Sequence, residues 1–264
     1  AGQAPPQAVS EMIGGYKDTA AQLGVRVAEL HLALVGAENE PSFAPEPYTG
    51  HDRRSKYQTL RNLSGKVLRM LRDRLPTLPP HARPEASAVL AREADLLRSF
   101  EPLLRAKMSG LRIRTHGDLH LSHILYTGKG FVVTDFHGLE DQTLTERRRK
   151  RSPLRDLAWM VRSFDIAALR RLFDPASVRE SDVEAARPWA AQWSLWVSAT
   201  FLGAYLARIA GASFLPADRE ATAILFDSFV VEQALYQLRR DLEDRSPAIH
   251  IALHGLSHVM GSPP

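Results

Sequence analysis

The run His116-Gly117-Asp118-Leu119-His120-Leu121-Ser122-His123 is the densest cluster of chemically capable side chains in this sequence. A second acid, Asp135, lies in Val132-Val133-Thr134-Asp135-Phe136-His137-Gly138. Two carboxylates at the ends of neighbouring strands can converge on one point. One could take a proton from an alcohol at hydrogen-bond distance. The other could hold Mg²⁺ against substrate phosphates. Phosphoryl transfer asks for little beyond such positioning and charge neutralisation. Other chemistries compete for the same residues. His116, His120 and His123 with Asp118 could form a zinc or non-haem iron cluster, since imidazoles and carboxylates suit those metals. The His-Glu-x-x-His spacing of zinc proteases is absent. A serine hydrolase would need a Gly-x-Ser-x-Gly elbow, also absent. The plainest alternative is a turn with satisfied histidines and no catalytic role.

These residues need a scaffold, and the surrounding periodicities describe one. Leu23, Val27, Leu30 and Leu34 recur at helical spacing, with Gly36 near the stop. Residues 37–52 are polar and proline-containing and read as a loop. A second helix is expected from about Ser55 to Leu75, carrying Leu60, Val67 and Leu71, and broken by Pro76 to Pro84. A third is expected from about Glu85 to Lys107. The period then shortens: Leu111, Ile113 and Thr115 alternate with Arg112 and Arg114. Ile124 to Tyr126 and Phe131 to Thr134 flank Thr127-Gly128-Lys129-Gly130, a hairpin signal. From Pro153 helix returns, with Leu157, Met160, Val161 and Phe164 on its apolar face. Residues 184–210 and 218–241 read as long helices, and Ile249 to Met260 as a short helix or ordered tail. The expected fold is mainly α with a small β hairpin carrying the chemistry. Residues 1–15 read as a tail or linker, and 16–264 as one domain without a dividing linker. An all-helical bundle with the island as a loop is the alternative.

Composition narrows the function. The 264 residues are 44% hydrophobic and 24% charged, which is ordinary globular composition. A net charge of +4 permits an anionic partner but does not announce nucleic acid. None of the 4 Trp sits in a basic cluster, so the stacking platform of a nucleic-acid binder is missing. Cysteine is absent, which excludes disulfides, thiolate metal sites and a cysteine nucleophile. No apolar run reaches membrane-spanning length and no signal peptide is evident, so a cytoplasmic location without membrane partners is expected. The cluster Arg147, Arg148, Arg149, Lys150 and Arg151 could steady a phosphate or an acidic partner segment, or serve as solvated surface.

The stretch from Thr115 to Phe164 resembles the bacterial maltokinases, relatives of the aminoglycoside phosphotransferases and, more distantly, of the protein kinases. The residues that carry the resemblance are His116-Gly117-Asp118-Leu119-His120-Leu121, Asp135-Phe136-x-Gly138, Glu146-Arg147-Arg148-Arg149, and Arg151-Ser152-Pro153-Leu154-Arg155-Asp156-Leu157-Ala158, followed by Met160, Arg162, Ser163 and Phe164. Leu23-Gly24 with Ala28-Glu29-Leu30-His31 resembles the opening helix of that family's C-terminal lobe. Glu232, Ala234, Leu235, Tyr236, Arg239, Leu242 and Arg245 resemble its late helix.

The resemblance implies a kinase-like C-terminal lobe over residues 16–264, working with ATP and Mg²⁺ to make maltose 1-phosphate. It implies Asp118 as catalytic base and Asp135 as Mg²⁺ ligand. His123 would be a second metal ligand, where kinase-like families place Asn and maltokinases commonly Gln. His116 and Asp156 would support the catalytic loop, and His120 and Arg155 would contact substrate or phosphate. His137 stands where maltokinases usually have Glu. The family's ATP-binding lysine belongs to an N-terminal lobe that has no counterpart in these residues. The expected partner is therefore that lobe or a fused trehalose synthase domain, with a homo-oligomer as another way to cover the exposed face. On this reading the chain alone is inactive and binds Mg²⁺ weakly. A non-catalytic kinase-derived domain serving a trehalose-metabolising enzyme, and an aminosugar kinase, are the alternatives.

Overall fold

The computed structural model describes residues 5–36, 40–139 and 142–261. The chain falls into two compact units, each assembled from two stretches: Ala1–Pro47 with Leu111–Leu215, and Tyr48–Gly110 with Pro216–Pro264.

The first unit is built on three long helices. Helices α1 (Gln7–Ile13) and α2 (Tyr16–Val35) open it. Helix α2 buries Ala20, Leu23, Gly24, Val27, Ala28 and His31, one stripe at spacings of three and four. Its small residues let it approach α9 (Val183–Arg208) closely: a Cβ added at Gly24 would lie 2.2 Å from the Phe201 carbonyl oxygen. Between them in sequence, α8 (Leu154–Leu172) buries Leu157, Met160 and Phe164, and the Phe164 ring meets Phe201 edge-on at 5.6 Å. The segment read as a tail contains α1, a helix of about two turns that buries Val9 and Ile13.

The β structure of this unit is small. Strand β1 (Glu46–Pro47) pairs antiparallel with β2 (Leu111–Arg112), and Ile113 bridges to Arg151. Strand β1 lies in the region expected to be loop. The predicted hairpin is present as β3 (Ile124–Tyr126) and β4 (Phe131–Val133), closed by a bond from Thr127 N–H to the Gly130 carbonyl with Gly128 at φ 82°. A short helix α7 (Leu144–Arg147) starts from a reciprocal Thr143–Glu146 capping box.

The second unit contains α3 (Gly50–Arg74), α4 (Arg83–Ala91), α5 (Glu93–Arg98), α6 (Pro102–Arg105), α10 (Arg219–Glu243) and α11 (Ile249–Val259). Thr49 and Asp52 form the capping box that starts α3. Its face Leu60, Val67 and Leu71 is fully buried, as are Leu235 and Leu238 of α10. A buried ion pair, Lys56–Glu232 at 2.8 Å, ties α3 to α10. The single third helix expected from Glu85 to Lys107 is three short helices instead. Arg92 leaves helical geometry at φ −101°, ψ 18°, and Pro102, which lacks an N–H, restarts the chain at a new first turn. Among the described residues no helix is long and apolar enough to cross a membrane.

Candidate functional site

The hairpin register explains how the candidate residues meet. Ile124 pairs with Val133, so the next pair outward is His123 with Thr134, joined by the Thr134 N–H to the His123 carbonyl at 3.0 Å. The chain thus brings His123, at the start of β3, alongside Asp135, just past β4. The His123 Nε2 lies 4.0 Å from Asp135 Oδ2. Asp135 is about half exposed and adopts φ 61°, the left-handed region that an aspartate tolerates better than most residues. Its Oδ2 accepts the Thr134 hydroxyl at 2.9 Å.

On the other side of His123 is Asp118. The His123 Nδ1–H donates to the Asp118 backbone carbonyl at 2.8 Å, which leaves Nε2 as the lone-pair nitrogen. The Asp118 side chain is 9% exposed. No hydrogen-bond donor among the described residues reaches its Oδ1. The His120 Nε2 stands 3.8 Å from Asp118 Oδ2, and the His120 and His123 rings lie 3.8 Å apart between centroids. One ligand atom from each of Asp118, His120 and His123 falls within 4.8 Å of the others.

The loop that presents Asp118 is held from beneath by Asp156, in the first turn of α8. Asp156 Oδ2 accepts the His116 N–H at 2.7 Å and Oδ1 accepts the Gly117 N–H at 3.0 Å. Gly117 makes this turn at φ 89°, where a side chain would be strained. Asp156 is 1% exposed. Burial pushes its carboxyl up, but the His31 hydrogen bond and the pull of His31, His116 and Arg155 together hold it below its ordinary value of 3.8. The His116 ring joins the same brace: its Nδ1 accepts the Asp118 N–H at 3.3 Å and its Nε2–H donates to the Thr134 carbonyl at 2.7 Å. His116 therefore links the Asp118 loop to the Asp135 strand, and its two ring nitrogens are engaged there rather than in the His120–His123 cluster.

Arg155, read from the resemblance as a substrate or phosphate contact, lies inside. It is 2% exposed, donates to the Gly117 carbonyl and stacks on Trp159 at 4.2 Å. The basic run is also drawn into structure: Lys150 pairs with Glu46 at 2.8 Å, Arg114 donates to the Arg148 carbonyl, and Arg147 Nε donates to the Gln142 carbonyl at 2.8 Å.

Three supporting residues carry no role in the sequence reading. His31 of α2 places its Nε2 3.2 Å from Asp156 Oδ2 and its Nδ1 2.8 Å from the Tyr205 hydroxyl of α9. Burial and the Asp156 charge push the Tyr205 phenol well above its ordinary value. Ser163 Oγ accepts the Leu121 N–H at 2.8 Å, tying the far end of the loop to α8. The sequence signals for His31 are its place in the Ala28-Glu29-Leu30-His31 resemblance and a polar residue on the apolar face of its helix, and neither gives it a partner.

The donor set bears on which metal fits. Mg²⁺ prefers oxygen ligands. Asp135 offers one, but His123 offers an imidazole nitrogen, so this pair fits Mg²⁺ at Asp135 alone.

No family model matches the chain. Its fold is shared with glucosamine kinase in several solved structures. Against crystal form B of that enzyme the TM-score is 0.69 at 21% identity, over 91% of this chain and 52% of the other. Against glucosamine kinase in complex with glucosamine, ADP and inorganic phosphate it is 0.68 at 21%, over 94% and 52%. The chain thus spans about half the length of the kinases it matches. The mostly helical fold with small antiparallel hairpins corresponds to part of a two-lobe kinase-like architecture.

Proposed function

We propose that this chain is the acceptor-activating half of an ATP-dependent phosphotransferase whose acceptor is a sugar hydroxyl, an aminosugar such as glucosamine being the favoured substrate. The observation that carries the reading is the Asp118 carboxylate, whose Oδ1 no donor among the described residues reaches, presented on a loop pinned by Asp156 within a fold shared with glucosamine kinase. In this reading Asp118 takes the acceptor hydroxyl proton as its oxygen attacks the γ-phosphorus of ATP. The bond to the β-phosphate oxygen breaks, and ADP and a sugar phosphate leave. A positioned base of this kind contributes about 10²–10⁴ in rate, or about 3–5 kcal/mol of barrier. Asp156, His31 and His116 hold the base; they do not touch the reacting atoms. Mg²⁺, brought with the nucleotide, would bind Asp135 and supply charge neutralisation.

An aminosugar is favoured over maltose because the shared fold is that of glucosamine kinase. The maltose reading, and fusion to a trehalose synthase, rest on the resemblance of residues 115–164 alone. The nucleotide-holding half in this proposal is a segment or partner matching the rest of the kinase length. The test is phosphorylation of glucosamine and of maltose by the natural polypeptide that contains this chain, with Mg·ATP. Faster turnover of glucosamine is expected. Faster turnover of maltose would transfer the assignment to a maltokinase. No turnover of either would favour the non-catalytic reading, with His123 and His137 marking lost chemistry.

A further inference from the structure

The residues around Asp118 match a different class of metal from the one phosphoryl transfer uses. Asp118, His120 and His123 bring one carboxylate oxygen and two imidazole nitrogens within 4.8 Å of one another. Two nitrogens and an oxygen suit a borderline dication such as Zn²⁺ or Co²⁺ and suit Mg²⁺ poorly. Three features show a prepared site. The His123 Nδ1–H is committed to the Asp118 carbonyl, the outer-shell bond that orients a ligating histidine and exposes Nε2. Asp118 Oδ1 is a buried acceptor that no described donor satisfies, and a buried carboxylate oxygen without a partner is costly. Asp135 Oδ2, 4.0 Å from His123 Nε2, stands ready as a further oxygen ligand. His116 is excluded, because both its ring nitrogens bond within the fold.

We propose that Asp118, His120 and His123 form a binding site for a zinc-class transition-metal dication, with Asp135 as a fourth ligand reached by a small side-chain movement. The ion would bind without nucleotide or sugar. Binding would also occupy Asp118, so the site and the proposed base are alternatives at one carboxylate. The metal site stands on the side-chain geometry and does not rest on the phosphotransferase reading.

The experiment is calorimetric titration of the metal-free 264-residue chain with Zn²⁺, paired with the visible spectrum of the Co²⁺ form. One ion per chain and an intense d–d band of low-coordinate cobalt are expected. His120→Ala and His123→Ala should each weaken Zn²⁺ at least about tenfold, the low end for loss of even an outer-shell partner. His81→Ala is the control, since His81 and His250 form a separate ring pair at 5.5 Å. It should leave this affinity unchanged. His123→Asn keeps a polar side chain at the position; with an unaltered far-ultraviolet dichroism spectrum it should lose the ion as His123→Ala does. No saturable binding overturns the proposal. So does binding that survives both histidine substitutions, or Mg²⁺ binding as tight as Zn²⁺. With no nucleotide or acceptor present, each result is read separately from phosphotransfer.

Discussion

Replacing Asp156 by Asn tests the brace under the Asp118 loop. The carboxylate accepts three donors: His116 N–H and His31 Nε2–H on Oδ2, and Gly117 N–H on Oδ1. An amide offers one oxygen, so its NH₂ must face at least one of these donors in a site 1% exposed. A buried donor left unsatisfied costs about 1–3 kcal/mol, and more where the lost acceptor is a charged carboxylate. A loss of about 3 kcal/mol follows. For a chain of this size that lowers the melting temperature by roughly 6–12 °C. The measurement is thermal and urea unfolding followed by circular dichroism. The loss should also depend on pH. The folded Asp156 carboxyl is held below its ordinary 3.8, so its contribution is complete above that value. It is lost as pH falls through the lower folded value. The gap between the native chain and Asp156→Asn should therefore be full at neutral pH and shrink below about pH 4. A change under about 1 kcal/mol at neutral pH, or a gap that grows on acidification, would refute the brace.

Gly24→Ala should destabilise by about 2 kcal/mol or more, because the new Cβ would sit 2.2 Å from the Phe201 carbonyl oxygen and α9 backbone must move. The gain of about 1 kcal/mol in helix propensity is too small to offset this, and a raised melting temperature would contradict the close α2–α9 packing. Lys56→Met should cost about 3–5 kcal/mol by removing the partner 2.8 Å from Glu232, a residue 4% exposed; a change within about 1 kcal/mol on urea unfolding would show that the pair is dispensable.

The candidate cluster was legible in the sequence where its residues are neighbours in the chain. Asp118, His120 and His123 sit within one short turn, and a recognisable hairpin brings Asp135 beside His123, so spacing and turn chemistry suffice. The brace was legible at Asp156 only through resemblance. Its partners His31 and Tyr205 lie 125 residues before it and 174 residues beyond His31 in turn, and no local periodicity joins such positions. Arg155 shows the reverse limit. Its type suggests a phosphate contact, but the face of α8 it occupies turns it inward onto Gly117 and Trp159. The apolar stripes of α2, α3 and α8 were readable because burial imposes helical spacing. The break of the expected Glu85–Lys107 helix at Arg92 was not, since helical pattern and propensity persist across it, whereas Pro102 marks the later break in the sequence itself. Helix α1 was hidden by its Gly- and Pro-rich flanks, which mask two buried apolar residues, Val9 and Ile13.

The most direct test of the account is steady-state phosphorylation of glucosamine by the natural polypeptide, comparing Asp118 with Asp118→Asn. The substitution keeps the side chain's size and leaves the Asp156 brace in place. The account predicts a fall in kcat of at least about 10², with little change in KM for ATP, because the base acts on the acceptor proton in the transition state. A variant that retains kcat within a few-fold of the native protein would contradict the assignment of Asp118 as the base.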